Sequence, residues 1–197
     1  MKVLIDNGHG EDTRGKCSPD GRLREYAYCR EIAQRVSRAL TLRGVDTLLL
    51  VPERTDTPLK ERVRKVNGWA KKLGSQNVVL VSIHNNAAGA DDKWHSATGF
   101  SVFVSNNASS KSKKLAQIFT ANATDMGLMG NRCVPPEKYW VQSLAMTRDT
   151  ACPAVLTENL FQDNEEDVKF LLSEEGKRAI TTLHVNSIIQ YINSIKS

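Results

Sequence analysis

The chain opens on a short apolar run, "KVLID" over 2–6, that stops at a glycine-rich turn, "NGHG". Apolar runs of this length, bounded by glycine or polar residues, read as strands. Similar runs recur at "VDTLLLV" (45–51), "NVVLVSIH" (77–84) and "PAVLTEN" (153–159). The run at 77–84 is almost continuously apolar, as in a strand buried on both faces. "GFSVFVS" (99–105) alternates instead, which predicts an edge or half-covered strand. "SLAMT" (143–147) predicts one more short strand. Helical periodicity fills the gaps near 24–43, 58–73, 109–126 and 175–195, with a short helix at 164–172. Thr57-Pro58 suits the start of the second helix. The segment 127–142, with Gly127, Gly130, Pro135 and Pro136, reads as a long loop.

This βαβα rhythm predicts an α/β fold: a twisted, mostly parallel sheet of about six strands with helices on both faces. Residues 1–197 are expected to form a single domain. Ligands in such sheets bind outside the carboxyl ends of the strands. The polar residues at those ends therefore carry the interest.

Three stand out. His9 follows the first strand, His84 ends the third, and Glu158 ends "AVLTE". If these strands run parallel, the three side chains gather at one edge of the sheet. Glycines flanking His9 would let the backbone turn without a Cβ clash. Two imidazoles and an acid suggest zinc, which in catalytic sites takes three protein ligands and a water. The apolar stripe Cys29, Ile32, Val36, Leu40, extended back one turn, lands on Glu25. An acid on a buried stripe either caps the helix or ligates a cation. Glu158 would then serve as proton carrier beside a metal-activated water, or else rest as a hydrogen-bonded acid at a strand end. His184 lies on the inner stripe of the last helix and is expected in the core. His95 is a loop histidine. Arg148 either holds a substrate carboxylate or sits on the surface, and Asn85 and Asn86 either touch substrate or brace their loop.

Composition narrows the classes. Apolar residues make up 40% and charged residues 25% of the chain, ordinary for a soluble globule. The formal net charge of +5 suits an anionic partner. The basic residues lack interleaved aromatics for base stacking, which argues against nucleic acid. No run is long enough for membrane insertion, and no signal peptide is visible. Cys17, Cys29, Cys133 and Cys152 form no CxxC pair and are expected as free thiols. GxSxG, HExxH and GxxxxGK[ST] are absent.

"IDNGHG", the glutamate in "LREYAYCREIAQRVSRAL", "SIHNNA" and "PAVLTENLFQDN", in this order, resemble the zinc-dependent N-acetylmuramoyl-L-alanine amidases of the Amidase_3 family. "GVDTLLLVPERTDTPLKERVRKVN" resembles that family's strand, Arg/Asp-containing turn and Arg-bearing helix. The resemblance implies Zn2+ on His9, Glu25 and His84, with Glu158 catalytic; Asn86 and Arg148 stand beside these as candidate substrate contacts. It implies hydrolysis of the amide between N-acetylmuramic acid and L-alanine in peptidoglycan. The alternatives are a zinc peptidase acting on stem or crossbridge peptides, and a non-catalytic wall-binding module. The expected partner is peptidoglycan, met by a monomer at the bacterial cell wall, whether secreted, periplasmic or phage-released. Two departures stand out. Asn7 occupies a common proline position, and Asn159 stands where a small or variable residue is usual, altering the pocket wall beside Glu158.

Overall fold

The structure is a computed structural model and describes residues 1–195. Six strands form one sheet in the order β2-β1-β3-β6-β4-β5. They are β1 (Lys2–Asn7), β2 (Asp46–Leu49), β3 (Val78–Asn86), β4 (Ser101–Val104), β5 (Trp140–Val141) and β6 (Ala154–Phe161). β1, β2, β3 and β6 run parallel, while β4 runs antiparallel to β6. The carboxyl ends of β1, β3 and β6 therefore meet at one edge, here called the mouth.

Helices cover both faces because alternate strand residues on both sides are apolar. One face packs Val3, Ile5, Val79, Val81 and Val155 against α1 (Glu25–Thr41), α3 (Ser110–Asp125), α5 (Glu165–Leu172) and α6 (Glu174–Ser194). The other packs Leu4, Leu80 and Ala154 against α2 (Leu59–Leu73) and the short α4 (Ala145–Arg148). The α1 stripe is buried as its spacing predicts, with Cys29, Ile32, Val36 and Leu40 all at 0% exposure. No helix among the described residues is long and apolar enough to cross a membrane.

Three expectations are corrected. "SLAMT" is not a strand: Ala145–Arg148 coil into α4, whose Met146 packs against the α2 face. A two-residue strand, Trp140–Val141, falls inside the expected long loop and supplies the sheet's edge. β4 is consequently interior, and all four of its residues are buried. Its alternation misleads because Ser101, the polar position, is turned toward the mouth rather than toward bulk water.

Candidate metal centre

β1 delivers His9 by a strained turn. The Gly8 N–H extends the ladder by donating to the Ile83 carbonyl at 2.9 Å. His9 itself then takes φ of 60°, a left-handed conformation uncommon outside glycine. The flanking glycines are needed for space, not for φ. A Cβ on Gly8 would lie 2.5 Å from the His84 ring, and one on Gly10 would lie 2.0 Å from the Asp56 backbone nitrogen. Two buried arginines hold the turn. Arg30 donates to the His9 carbonyl at 2.8 Å, and Arg62 donates to the Asn7 carbonyl at 2.6 Å. Arg62 also pairs with the fully buried Asp6 at 2.9 Å.

Glu25 opens α1 and is 1% exposed. Its Oε1 accepts the Asn85 N–H at 3.1 Å and faces His84 Nδ1 at 3.1 Å. Its Oε2 stands 3.5 Å from His9 Nε2 and has no hydrogen-bond partner. The two imidazoles meet edge to face, with centroids 5.2 Å apart. One ligand atom from each of His9, Glu25 and His84 lies within 4.8 Å of the others.

The electrostatics fit a cation. Burial alone would raise the Glu25 pKa, but the hydrogen bond from His84 and both imidazole charges hold it below the ordinary carboxylate value. Burial would lower His84, and Glu25 overrides it, so His84 is raised. Burial drives His9 down to about 4, so that ring is neutral at pH 7. A buried, ionised acid with one unbonded oxygen between two imidazoles is a donor set suited to a divalent metal. The residues present therefore fit the ion that the resemblance implies.

Glu158 pairs with His84 in the β3–β6 register. Burial, reinforced by the Glu25 charge, raises its pKa to about 7, while His84, Lys16 and Arg132 pull the other way. Its Oε2 is buried and unpartnered. Just past it the register slips, two residues of β3 facing three of β6, with Leu160 at φ of 62°. Bulges of this kind re-aim side chains beside active sites.

A family described as N-acetylmuramoyl-L-alanine amidase, Amidase_3, matches residues 3–190. The chain belongs to this family. The N-acetylmuramoyl-L-alanine amidase CwlM of Bacillus licheniformis is 24% identical over 197 residues, spanning 100% of this chain and 71% of that protein. An endolysin of Bacillus phage SPP1 is 25% identical over 193 residues, spanning 97% of this chain and 66% of its own. Among solved structures, the N-acetylmuramoyl-L-alanine amidase of Clostridium difficile 630 superposes with a TM-score of 0.82 at 23% identity, covering 98% of this chain and 97% of that one. The catalytic domain of CwlV from Bacillus (Paenibacillus) polymyxa gives 0.80 at 24% identity, covering 98% of each chain. These superpositions establish a shared fold.

In this amidase-family chain the four principal candidates converge at the mouth, where Asn85 and Asn86 also end β3, while Arg148 lies elsewhere. Arg148 ends α4 near the amino end of β6, four residues or about 13 Å of strand away from Glu158 at the mouth. Its guanidinium is occupied by Asp149 at 2.7 Å and Ser143 at 3.1 Å. Asn86 Oδ1 accepts the N–H of Ala87, bracing its own loop. Asn85 likewise braces, donating to the Asn159 carbonyl at 2.6 Å. Asn159 is no pocket wall: it is fully buried and donates to the His84 carbonyl at 2.9 Å, tying β6 to β3. His95 bonds Asp91, outside the trio. His184 is in the core, its Nδ1 donating to the Ile180 carbonyl and its Nε2 facing the Thr157 hydroxyl. The four cysteines are unpaired, and burial raises the Cys152 thiol to about 12, unsuited to nucleophilic work. The basic side chains around the site, Lys16, Arg30, Arg62 and Arg132, have no motif of their own in the sequence. Only the Arg-bearing helix of the resemblance hints at Arg62.

Proposed function

We propose that the chain is a zinc amidase that cleaves the bond between N-acetylmuramic acid and L-alanine in peptidoglycan, with His9, Glu25 and His84 as ligands and Glu158 as the proton carrier. The observation that carries this is the pair of buried, unpartnered oxygens, Glu25 Oε2 and Glu158 Oε2, on either side of His84. Unpaired buried acids cost free energy, and a site that accepts cation and substrate recovers it. A bound zinc ion would polarise the scissile carbonyl and bring the pKa of a water toward ~7.

The protein's own groups do the rest. Glu158, with a pKa raised to about 7, is poised to take and return a proton near neutral pH. It accepts a proton from the attacking water as oxygen bonds to the lactyl carbonyl carbon. It then delivers that proton to the alanine nitrogen as the carbon–nitrogen bond breaks. The products are a lactyl carboxylic acid and a free alanine amine, so water has been added across one amide. Arg30 and Arg62 hold the turn that presents His9. The net positive charge favours an anionic wall polymer.

Digestion of purified peptidoglycan, followed by mass analysis of the products, tests this. New alanine amino termini and peptide-free muramic lactyl groups are expected, with loss of the reaction under a chelator. Release of a different amine would replace the amidase assignment with a peptidase. Binding without any release would replace it with a wall-binding role.

A further inference from the structure

Arg132 is a half-buried cation at the mouth to which the proposed chemistry gives no task. It lies between α3 and β5, with its guanidinium 5.1 Å from the Trp140 ring centroid and 5.7 Å from that of Phe161. Its Nη1 donates to Ser101 Oγ at 3.0 Å. Among the described residues its other nitrogens meet no acceptor and no carboxylate pairs with it. Arg62 and Arg148, by contrast, are each paired with carboxylates.

Ser101 faces Glu158 across the β4–β6 ladder. Side chains directly opposite in an antiparallel pair share a face, with Cβ atoms about 4.5–5.5 Å apart. The guanidinium that Ser101 holds therefore stands next to Glu158, on the side away from the ligand trio. Across the sheet the sequence is fixed by strand order: the trio at β1 and β3, Glu158 on β6, then Ser101 and Arg132 beyond β6. Lys16 lies on the opposite flank, where its carbonyl accepts the Glu25 N–H.

With the scissile carbonyl toward the trio and its nitrogen toward Glu158, as the proposed chemistry requires, the departing peptide would extend toward Arg132. Neighbouring strands are about 4.8 Å apart and successive Cα atoms about 3.8 Å apart. These spacings would bring a group one residue past the alanine within reach of the guanidinium. We propose that Arg132 binds a free carboxylate on the stem residue that follows L-alanine, and so selects peptides bearing that carboxylate over those in which it is amidated. The planar fork suits a two-point carboxylate contact, and the stacking on Trp140 and Phe161 fixes its plane. This rests on the amidase assignment.

The test compares two synthetic substrates, N-acetylmuramoyl-L-alanyl-glutamate with its α-carboxyl free or as the carboxamide, on the zinc-loaded full chain. The wild type should favour the free acid by about 10- to 100-fold in kcat/KM, chiefly through KM, as expected for hydrogen bonds to a charged group. Arg132→Gln should reduce that ratio to within about twofold of unity, and Arg132→Lys should restore part of it. Equal rates on both substrates in the wild type would overturn the proposal without recourse to any variant. So would an Arg132→Gln protein that slows both substrates alike and keeps the ratio, since that behaviour belongs to a residue acting through Glu158 or the fold. If neither substrate is cut at the muramoyl–alanine bond, the amidase assignment itself fails, which is a different result from cleavage without discrimination.

Discussion

The two ends of the sheet differ in how they treat polar groups. The rear, where β3 and β6 begin, holds a hollow of about 320 Å³ lined by Ser109, Lys111, Arg148 and Cys152 among others. Several of its polar groups pair with one another or with nearby side chains. Arg148 pairs with Asp149, Asn107 donates to the Arg148 carbonyl, and Asn67 serves both Asp149 and Ala151. At the mouth, Asn7, Glu25, Glu158, Asn159, Gln162 and Asp163 all keep a buried oxygen or nitrogen without a partner. Buried polar groups are normally paired. Two tyrosine hydroxyls, Tyr28 and Tyr191, are also unpartnered, but among the described residues every buried carboxylate oxygen without a partner lies at the mouth: Glu25, Glu158 and Asp163. Buried carboxylate oxygens without a partner, rather than the size of the hollow, separate the mouth from the rear.

The largest effect expected concerns the mouth. Glu158→Gln should lower kcat on muropeptides by about 10²- to 10⁴-fold without lowering the melting temperature, because it removes a buried charge. Activity within tenfold of wild type would show that Glu158 is no more special than the paired acids behind it. Next comes the clasp behind the His9 turn. Arg62→Ala leaves Asp6 buried without its cation, held only by the Ser82 hydroxyl, and should destabilise the fold by about 3–5 kcal/mol in urea unfolding. A smaller loss would mean that the turn is held chiefly by Arg30.

Acid should separate the core from the mouth. Burial puts the His184 pKa at about 4 in the fold, against 6.5 ordinarily. The unfolded chain then binds more protons between those values, so stability falls as pH drops from about 6.5 to about 4, by about 3 kcal/mol. Glu158, raised to about 7 from 4.5, tilts the other way, gaining stability as pH falls through that window. Measured in a Glu158→Gln background, the acid loss should therefore be steeper than in the wild type, and His184→Gln should make it shallower, the remainder coming from His9, which burial also lowers to about 4. An unchanged slope in both would deny that either group changes its protonation on folding.

Zinc at about 100 times its dissociation constant should add about 2.7 kcal/mol, seen as a higher melting temperature that Glu25→Gln abolishes. Smallest of all, Arg148→Ala at the rear should shift the melting temperature by less than about 2 °C and leave kcat/KM within about twofold of wild type. A tenfold fall would return the rear hollow to consideration as a substrate site.

Local pattern was sufficient for much of this. The continuous run at 77–84 and the stripe from Cys29 to Leu40 specify a strand buried on both faces and a helix with one buried side, because burial selects side chains at the period of each element. The same stripe exposed Glu25 as an acid out of place, and the strand ends named His9, His84 and Glu158. Tertiary structure alone decided three matters. It decided that "SLAMT" coils and that β4 is interior, since a run of four or five residues carries too little period to tell helix from strand or edge from centre. It decided that the glycines beside His9 make room for the His84 ring and the Asp56 backbone, a contact between chain segments far apart in sequence. And it decided which cations stand at the mouth. Arg148 precedes the Glu158 strand yet lies at its far end, because a strand carries its two termini apart. Arg132 is bonded to Ser101, which faces Glu158 from a neighbouring antiparallel strand, a placement that no spacing along the chain records.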